Sequence, residues 1–231
     1  MVRFGLAISA ALLSAMAGLA LWAERAIPAD ARVALHFGLD GTVNRYGDKG
    51  EAVFVLWVMV GVGAFVSVLM AVLAQAEPMR ANLMRSKGTY LAAWIGSLVL
   101  LVVVTGMMAF DFTRSGPADP DAFVRISLGL SGVLILILGN ALGKVRPNFT
   151  MGVRTPWTLT SDLAWDKTHR LAGLLMVVWG VAQVGLAAVG SVAWAVGIAV
   201  GGALVLVPVV FVASYLYWRA EPDRRTRPGA A

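Results

Sequence analysis

The segment 139–173 holds most of the side chains in this chain that could take part in chemistry. It leaves an apolar run, crosses a polar stretch rich in Trp, Arg and His, and enters another apolar run. Asp166 and His169 are the residue types of an acid–base pair, and nearby guanidinium groups could hold a phosphate. Those groups belong to Arg146, Arg154 and Arg170. Loops that only connect helices are seldom so rich in these residues, so this segment is the predicted functional site.

The candidate residues of this segment are polar, aromatic or turn-forming. They are Asn140, Lys144, Arg146, Pro147, Asn148, Gly152, Arg154, Thr155, Pro156, Trp157, Trp165, Thr168, His169 and Arg170. Pro147 cannot continue the hydrogen-bond ladder of the preceding helix, and Ser161 is suited to cap a new one. The residues after Ser161 predict an amphipathic helix that lies at the membrane surface before the next span. Trp157 and Trp165, taken alone, are also typical of side chains that anchor a protein at the lipid headgroups.

The elements that position this segment follow from the composition. Hydrophobic residues make up 59% of the chain and charged residues 14%, against about a quarter charged in a soluble domain. Several charge-free runs are long enough to cross the membrane as helix, the conformation that satisfies the backbone in lipid. The six runs are 4–22, 52–73, 89–110, 126–142, 171–189 and 193–218. The predicted fold is an all-α integral membrane protein, one domain over 1–231 with six transmembrane helices.

The distribution of basic residues predicts how these helices are oriented. With the amino terminus inside the cell, 13 of the 19 Lys and Arg residues lie on the cytoplasmic side. The positive-inside rule therefore predicts that both termini and the segment 139–173 are cytoplasmic. The net charge of +6 then reflects membrane orientation rather than a nucleic-acid partner. The basic tail 219–227 is predicted to contact anionic lipid headgroups, and the first run is predicted to be an uncleaved anchor rather than a signal peptide.

The loop 23–51 is predicted to lie outside the cell and to have structure of its own. Gly, Pro, Asn and Asp favour turns in it, and a loop of this length seldom lacks structure. Its candidate binding residues are His36, Phe37, Gly41, Tyr46 and Lys49. His36 and His169 are predicted on opposite faces of the membrane, so they cannot share a metal, and the chain has no Cys. We therefore predict no metal site and no cofactor.

The segment 139–173 also carries a long motif. It begins GNALGKVRPNFTMGVRTPWTL and continues with Trp165, Thr168-His169-Arg170 and Gly173. This pattern resembles the SdpI-like immunity family, named for an integral membrane protein that protects a bacterium from its own sporulation-delaying toxin. The outer loop resembles a second module, of unknown function, that often precedes it. Here the second pattern reads Ala34-Leu35-His36-Phe37-Gly38, then Gly41, Asn44 and Tyr46-Gly47-Asp48-Lys49.

The resemblance implies a multi-pass immunity protein of the bacterial inner membrane, not an enzyme. In the founding member it also implies signalling, because the toxin-loaded protein holds a transcriptional repressor at the membrane. The implied partners are thus a membrane-active peptide toxin and a cytoplasmic repressor protein, besides membrane lipids. Direct binding of nucleic acid is not implied. A repressor would need a docking surface on the cytoplasmic side, where the charge distribution predicts the segment 139–173 to lie.

Two other classes of function stay open at this point. A transporter of small molecules or ions normally has ionisable groups near the midplane, and none of the six runs contains one. Gln183 is the main strongly polar residue at depth, and such a residue more often bonds two helices together. A membrane enzyme acting on a lipid or peptide would depend on Asp166 and His169, for which helix capping and pairing are the simpler explanations. Our hypothesis is a binding and protection protein.

Overall fold

The structure is a computed structural model that describes residues 1–38, 42–114 and 120–221. The long helices are α1 (Val2–Ala26), α2 (Lys49–Ala76), α4 (Lys87–Thr113), α5 (Pro120–Leu142), α7 (Asp162–Val189) and α8 (Val192–Arg219). Two short helices, α3 (Arg80–Arg85) and α6 (Pro156–Thr160), lie in the connections. Strands β1 (Val33–Phe37) and β2 (Val43–Gly47) follow α1. The residues of the basic tail beyond 221 lie outside the described part.

Six helices of the described chain are long and apolar enough to cross a membrane. Each of the six predicted runs lies inside one of them, so the predicted helical membrane bundle is confirmed. Side chains at the helix ends explain where several of them begin. Ser161 accepts a hydrogen bond from the Ala164 N–H at the start of α7, as predicted, and Ser191 does the same for α8. The chain is a multi-pass membrane protein.

The six long helices form two groups of three. In one group α1 packs against α2 and α4, and in the other α7 packs against α5 and α8. Helices α5 and α7 pack closely together, because glycines face each other across their seam. A Cβ on Gly173 would lie 2.6 Å from the Gly139 carbonyl oxygen, and one on Gly180 would lie 2.8 Å from the Gly132 carbonyl oxygen. Contacts between α4 and α5 join the two groups.

Gln183 lies in the same seam and ties α7 to α5. Its side chain is buried, and its Nε2 donates to the Leu128 carbonyl at 2.9 Å and to Ser131 Oγ at 2.7 Å. The prediction that Gln183 bonds two helices together is therefore confirmed.

The loop between α1 and α2 was predicted to have structure of its own, and it forms a small antiparallel hairpin. The register pairs Val33 with Gly47 and Phe37 with Val43. The hairpin is the one departure from an all-helical chain among the described residues. It connects α1 to α2, whereas 143–161 connects α5 to α7. An odd number of spans separates these two connections along the chain, so they lie at opposite ends of the bundle.

The candidate residues of the hairpin have distinct roles. Lys49 Nζ donates to the Ile27 carbonyl at 2.8 Å, which holds the end of α1 against the start of α2. His36 Nδ1 and Asn44 Oδ1 are 2.6 Å apart, so the two strands are joined through these side chains. Tyr46 is 56% exposed. Gly41 lies outside the described residues.

Candidate functional site

The connection 143–161, called the signature loop below, is organised around the buried Asn148. Its Oδ1 accepts from the Thr150 N–H at 2.9 Å and the Met151 N–H at 2.7 Å, and its Nδ2 donates to the Arg146 carbonyl at 2.8 Å. The side chain therefore replaces the backbone partners that a turn lacks. The structure agrees with the predicted role of Asn148 in a turn.

His169 closes the loop from α7. It is fully buried, and its Nε2 lies 3.0 Å from the Val153 backbone nitrogen. Since that N–H can only donate, Nε2 must be the unprotonated nitrogen, and Nδ1 must carry the proton that it donates to the Trp165 carbonyl at 2.8 Å. Both ring nitrogens of the neutral imidazole are thus occupied. His169 holds the loop in place, and the suggested acid–base pair with the exposed Asp166 is not formed.

Gly152 is the position at which the loop backbone meets this histidine. Its φ is +104°, a conformation that side-chain-bearing residues rarely adopt. A Cβ there would lie 2.2 Å from His169 Nε2, which is closer than any real contact. Glycine is therefore required twice, by the backbone angle and by the space that the imidazole fills.

The side chains of Trp165 and Trp157 both pack against other residues of the protein. The Trp165 ring is fully buried, stacks on His169 with ring centroids 3.9 Å apart, and donates from Nε1 to the Val145 carbonyl at 2.8 Å. Trp157 is half-buried and packs edge-on against Phe211 and Tyr215 of α8. Headgroup anchoring is therefore the wrong interpretation for Trp165, whose indole nitrogen is used inside the protein.

The helix α6 is held by threonines and ends the loop. Thr155 and Thr158 form a reciprocal cap, and Pro156 occupies the first helical turn, where its missing N–H costs nothing. Thr155 Oγ1 also reaches Ser214 Oγ of α8 at 3.1 Å. Thr168 is buried on α7. Helix α7 then runs unbroken from Asp162 to Val189, so the predicted entry helix is the first part of α7.

The remaining candidates face outward from this scaffold. The exposed cations are Lys144, Arg146, Arg154 and Arg170, called the basic rim below. None of the four forms an ion pair with another described residue. Arg154 donates to the Phe149 carbonyl, which directs its stem along the loop. Asn140 is also exposed, on the last turns of α5, and Pro147 is half-buried. The site therefore divides into a buried scaffold and a charged outer surface.

Part of the chain is similar to known proteins. Residues 144–217 match the SdpI/YfhL protein family. This part of the chain is SdpI-like. A stretch of 55 residues is 38% identical to "Immunity protein SdpI" of Bacillus subtilis (strain 168). The stretch covers 24% of this chain, and the chain spans about a quarter, 26%, of that relative.

No solved structure matches the chain. The SdpI-like segment covers most of the signature loop, α6, α7 and nearly all of α8, and so includes Arg154, Trp157 and His169. With the six spans, the similarity identifies a multi-pass protein of the bacterial cell membrane. The group α1, α2 and α4 lies outside the matched residues.

The SdpI-like segment is clamped by residues from that first helix group, which sequence reasoning missed. Glu77, just beyond the end of α2, is buried and accepts from the Phe149 N–H at 3.0 Å and from the Thr150 hydroxyl. Asn82 Nδ2 donates to the Pro147 carbonyl at 2.8 Å, and Ser86 Oγ accepts from the Arg146 N–H at 3.0 Å. These three side chains, called the clamp below, join two parts of the chain more than fifty residues apart. One sequence signal could have indicated Glu77 as a functional residue. It is the one acidic residue in the connection after α2, whose other charged residues are basic.

The carboxyl of Glu77 is held in its charged form. Burial raises its pKa, because it disfavours the charged state. The hydrogen bonds from Thr150, Met79 and Phe149 favour the carboxylate and outweigh burial, so the pKa lies below the ordinary value of 4.5. A group whose pKa is lowered by folding stabilises the protein above its unfolded pKa, and this contribution is lost as the pH falls through the folded pKa.

Replacing Glu77 by glutamine is expected to reduce stability at neutral pH and to flatten its acid dependence. The glutamine NH₂ group cannot accept from the N–H and O–H donors that surround it, at a cost of about 2 kcal/mol. Below about pH 4.5 the unfolded chain begins to bind a proton at Glu77, so the stability difference should shrink as the pH falls through the lower pKa of the folded state. Thermal unfolding in detergent from pH 7 to pH 3 measures this, with Glu24→Gln at an exposed position as control. A constant difference at all pH values would contradict the role assigned to Glu77.

Proposed function

We propose that this protein is a membrane immunity protein, which protects the cell that carries it by binding a membrane-active antimicrobial peptide. The observation that carries the proposal is the SdpI-like signature loop, whose matched relative is named an immunity protein. The hairpin, with the exposed Tyr46, is the part that the peptide meets from outside the cell. The signature loop lies at the opposite end of the bundle and presents the basic rim to the cytoplasm.

The geometry of the signature loop favours binding over catalysis. A general acid or base needs a nitrogen or oxygen free to exchange a proton with substrate, and both nitrogens of His169 are bonded to backbone groups. The exposed groups are cations without a carboxylate partner among the described residues. Fixed cations on a rigid loop are suited to recognise an acidic surface, since guanidinium groups bind carboxylates with defined geometry.

The second part of the proposal concerns the partner on the cytoplasmic side. A repressor protein with an acidic patch would meet the basic rim, and the peptide-bound state would present the rim to it. The clamp connects this rim to α2, whose other end carries the hairpin. A shift of α2 on peptide binding would therefore reach Phe149 and Thr150 through Glu77. Asn140 and Asn148 are assigned to the positioning of the loop ends, and the hydrogen bonds of the Asn148 side chain to Arg146, Thr150 and Met151 support its part of this assignment.

The transporter alternative is the weaker one. A transporter needs polar groups that face a path near the midplane, and Gln183 is engaged in the seam between α5 and α7. Its Nε2 joins the two helices in the seam where glycines bring their backbones close together. A liposome flux assay would reveal transport directly.

Expression in a peptide-sensitive bacterial host tests the proposal. Cells producing the wild-type protein should survive the peptide toxin of a genomic neighbour, and Arg154→Ala should reduce protection about tenfold through loss of a charged contact. Arg85→Ala is the matched control, since Arg85 is an exposed arginine outside the signature loop and should protect normally. Unchanged survival with well-expressed wild-type protein would contradict immunity. Full protection by Arg154→Ala would contradict only the role of the basic rim, and the immunity function would still stand.

A further inference from the structure

A cavity of about 280 Å³ lies at the signature-loop end of the first helix group, and its lining residues belong to α1, α2 and α3 and to Met1. Its walls come from the start of α1, the last turns of α2 and the helix α3. Arg3 and Arg80 line it together, with Leu83 and Met84 among the apolar side chains of the wall. Because Arg3 and Arg80 belong to different helices, folding alone brings these two guanidinium groups to one cavity.

The cavity carries positive charge that no described carboxylate neutralises. Neither Arg3 nor Arg80 forms an ion pair with a described residue. The carboxylate closest along the chain is Glu77, one turn beyond the wall residue Ala74. Its Oε2 accepts from Phe149 and Thr150 of the signature loop, and its Oε1 accepts from the Met79 and Phe149 N–H groups. The cavity is therefore chemically suited to an anion, and paired guanidinium groups suit a phosphate best.

The surroundings identify where such a phosphate would come from. The cavity lies where α1 begins and α2 ends, so it sits at the level of the lipid headgroups. Phe4 follows Arg3 and is 57% exposed, and Met84 is 47% exposed, so apolar side chains border the charged groups toward the lipid. At about 280 Å³ the cavity is smaller than the roughly 300–1,000 Å³ of pockets that enclose a whole ligand. It can enclose a headgroup while the acyl chains remain in the bilayer.

We propose that this cavity binds the phosphate of an anionic phospholipid, with Arg3 and Arg80 as its two contacts. Basic pockets between membrane helices take such headgroups in general. Since Arg80 begins α3, and Asn82 on the same helix donates to Pro147 of the signature loop, a bound lipid also braces the clamp. This site is separate from the basic rim and does not depend on the proposed immunity function.

Native mass spectrometry of the full chain in detergent tests the site. Phosphatidylglycerol should be retained on the wild-type protein, and the double variant Arg3→Gln/Arg80→Gln should retain it about tenfold less. Arg85→Gln is the matched control, because Arg85 is an exposed arginine of α3 that does not line the cavity. It should retain the lipid as the wild type does. Neutral phosphatidylcholine should show no difference between the variants.

Two further experiments test whether the bound phosphate belongs to a lipid and whether the double variant is folded. Inorganic phosphate at the concentration of the lipid should fail to displace it, and displacement would show a free-anion site instead of a lipid site. Circular dichroism must show equal helix content in the double variant, so that lost binding is not lost folding. Equal lipid retention by the double variant and Arg85→Gln would overturn the proposal.

Discussion

Replacing Gly152 by alanine is expected to abolish protection and to destabilise the protein by about 3 kcal/mol. The backbone there has φ of +104°, which costs a residue with a side chain about 1–2 kcal/mol. The new methyl group would also stand 2.2 Å from His169 Nε2 and so would displace the imidazole. The Val153 N–H would then lose its acceptor, at a cost of about 1–3 kcal/mol when a buried donor is left unpaired. Thermal unfolding in detergent and the survival assay measure the two effects.

The Gly152 prediction has a matched control and an internal test of its mechanism. Gly88, in α4, has no atom within 4 Å of its Cβ position apart from its chain neighbours and its own helix backbone, so Gly88→Ala should leave both stability and protection intact. In a double-mutant cycle, Gly152→Ala should cost less in a His169→Ala background, because the clash has been removed and the backbone penalty remains. If Gly152→Ala unfolds at the wild-type temperature, the loop is not held as described.

The membrane architecture could be predicted because lipid leaves the backbone few choices. A charge-free run of about twenty residues must be helical in a bilayer, so each of the six runs became a helix. Local signals were equally readable where one side chain decides the outcome. Ser161 caps α7, and Gly152 takes a conformation that favours glycine. The turn residues of the loop after α1 predicted that it has structure of its own, and its two strands were not predicted.

The scaffold of the site could not be predicted, because its contacts join distant residues. Glu77 meets Phe149 and Thr150 across more than seventy positions of sequence. No local sequence pattern indicates that Glu77 would contact Phe149 and Thr150. Trp165 illustrates the same limit. Its position before an apolar span is typical of a headgroup anchor, yet tertiary packing buries it against His169. Sequence reasoning identified these residues as candidates and could not separate those that build the loop from those that face outward.

The outward-facing residues were the easier part of the site. Arg146, Arg154 and Arg170 are too costly to bury without partners, so exposure at the end of a span was their expected place. Because most basic residues lie on one side of the predicted spans, the positive-inside rule also predicted the orientation of the bundle. The further step, that the hairpin and the basic rim act from opposite sides of the membrane, is the claim on which the proposed mechanism depends.

Cysteine labelling of intact cells tests that claim most directly, with an all-or-none effect expected. The chain has no native cysteine, so Tyr46→Cys in the hairpin and Thr160→Cys at the end of α6 each introduce one thiol at an exposed position. A membrane-impermeant thiol reagent should modify Tyr46→Cys in intact cells, and Thr160→Cys only after the membrane is opened. Modification of Thr160→Cys in intact cells, with Tyr46→Cys protected, would place the signature loop outside and contradict the mechanism.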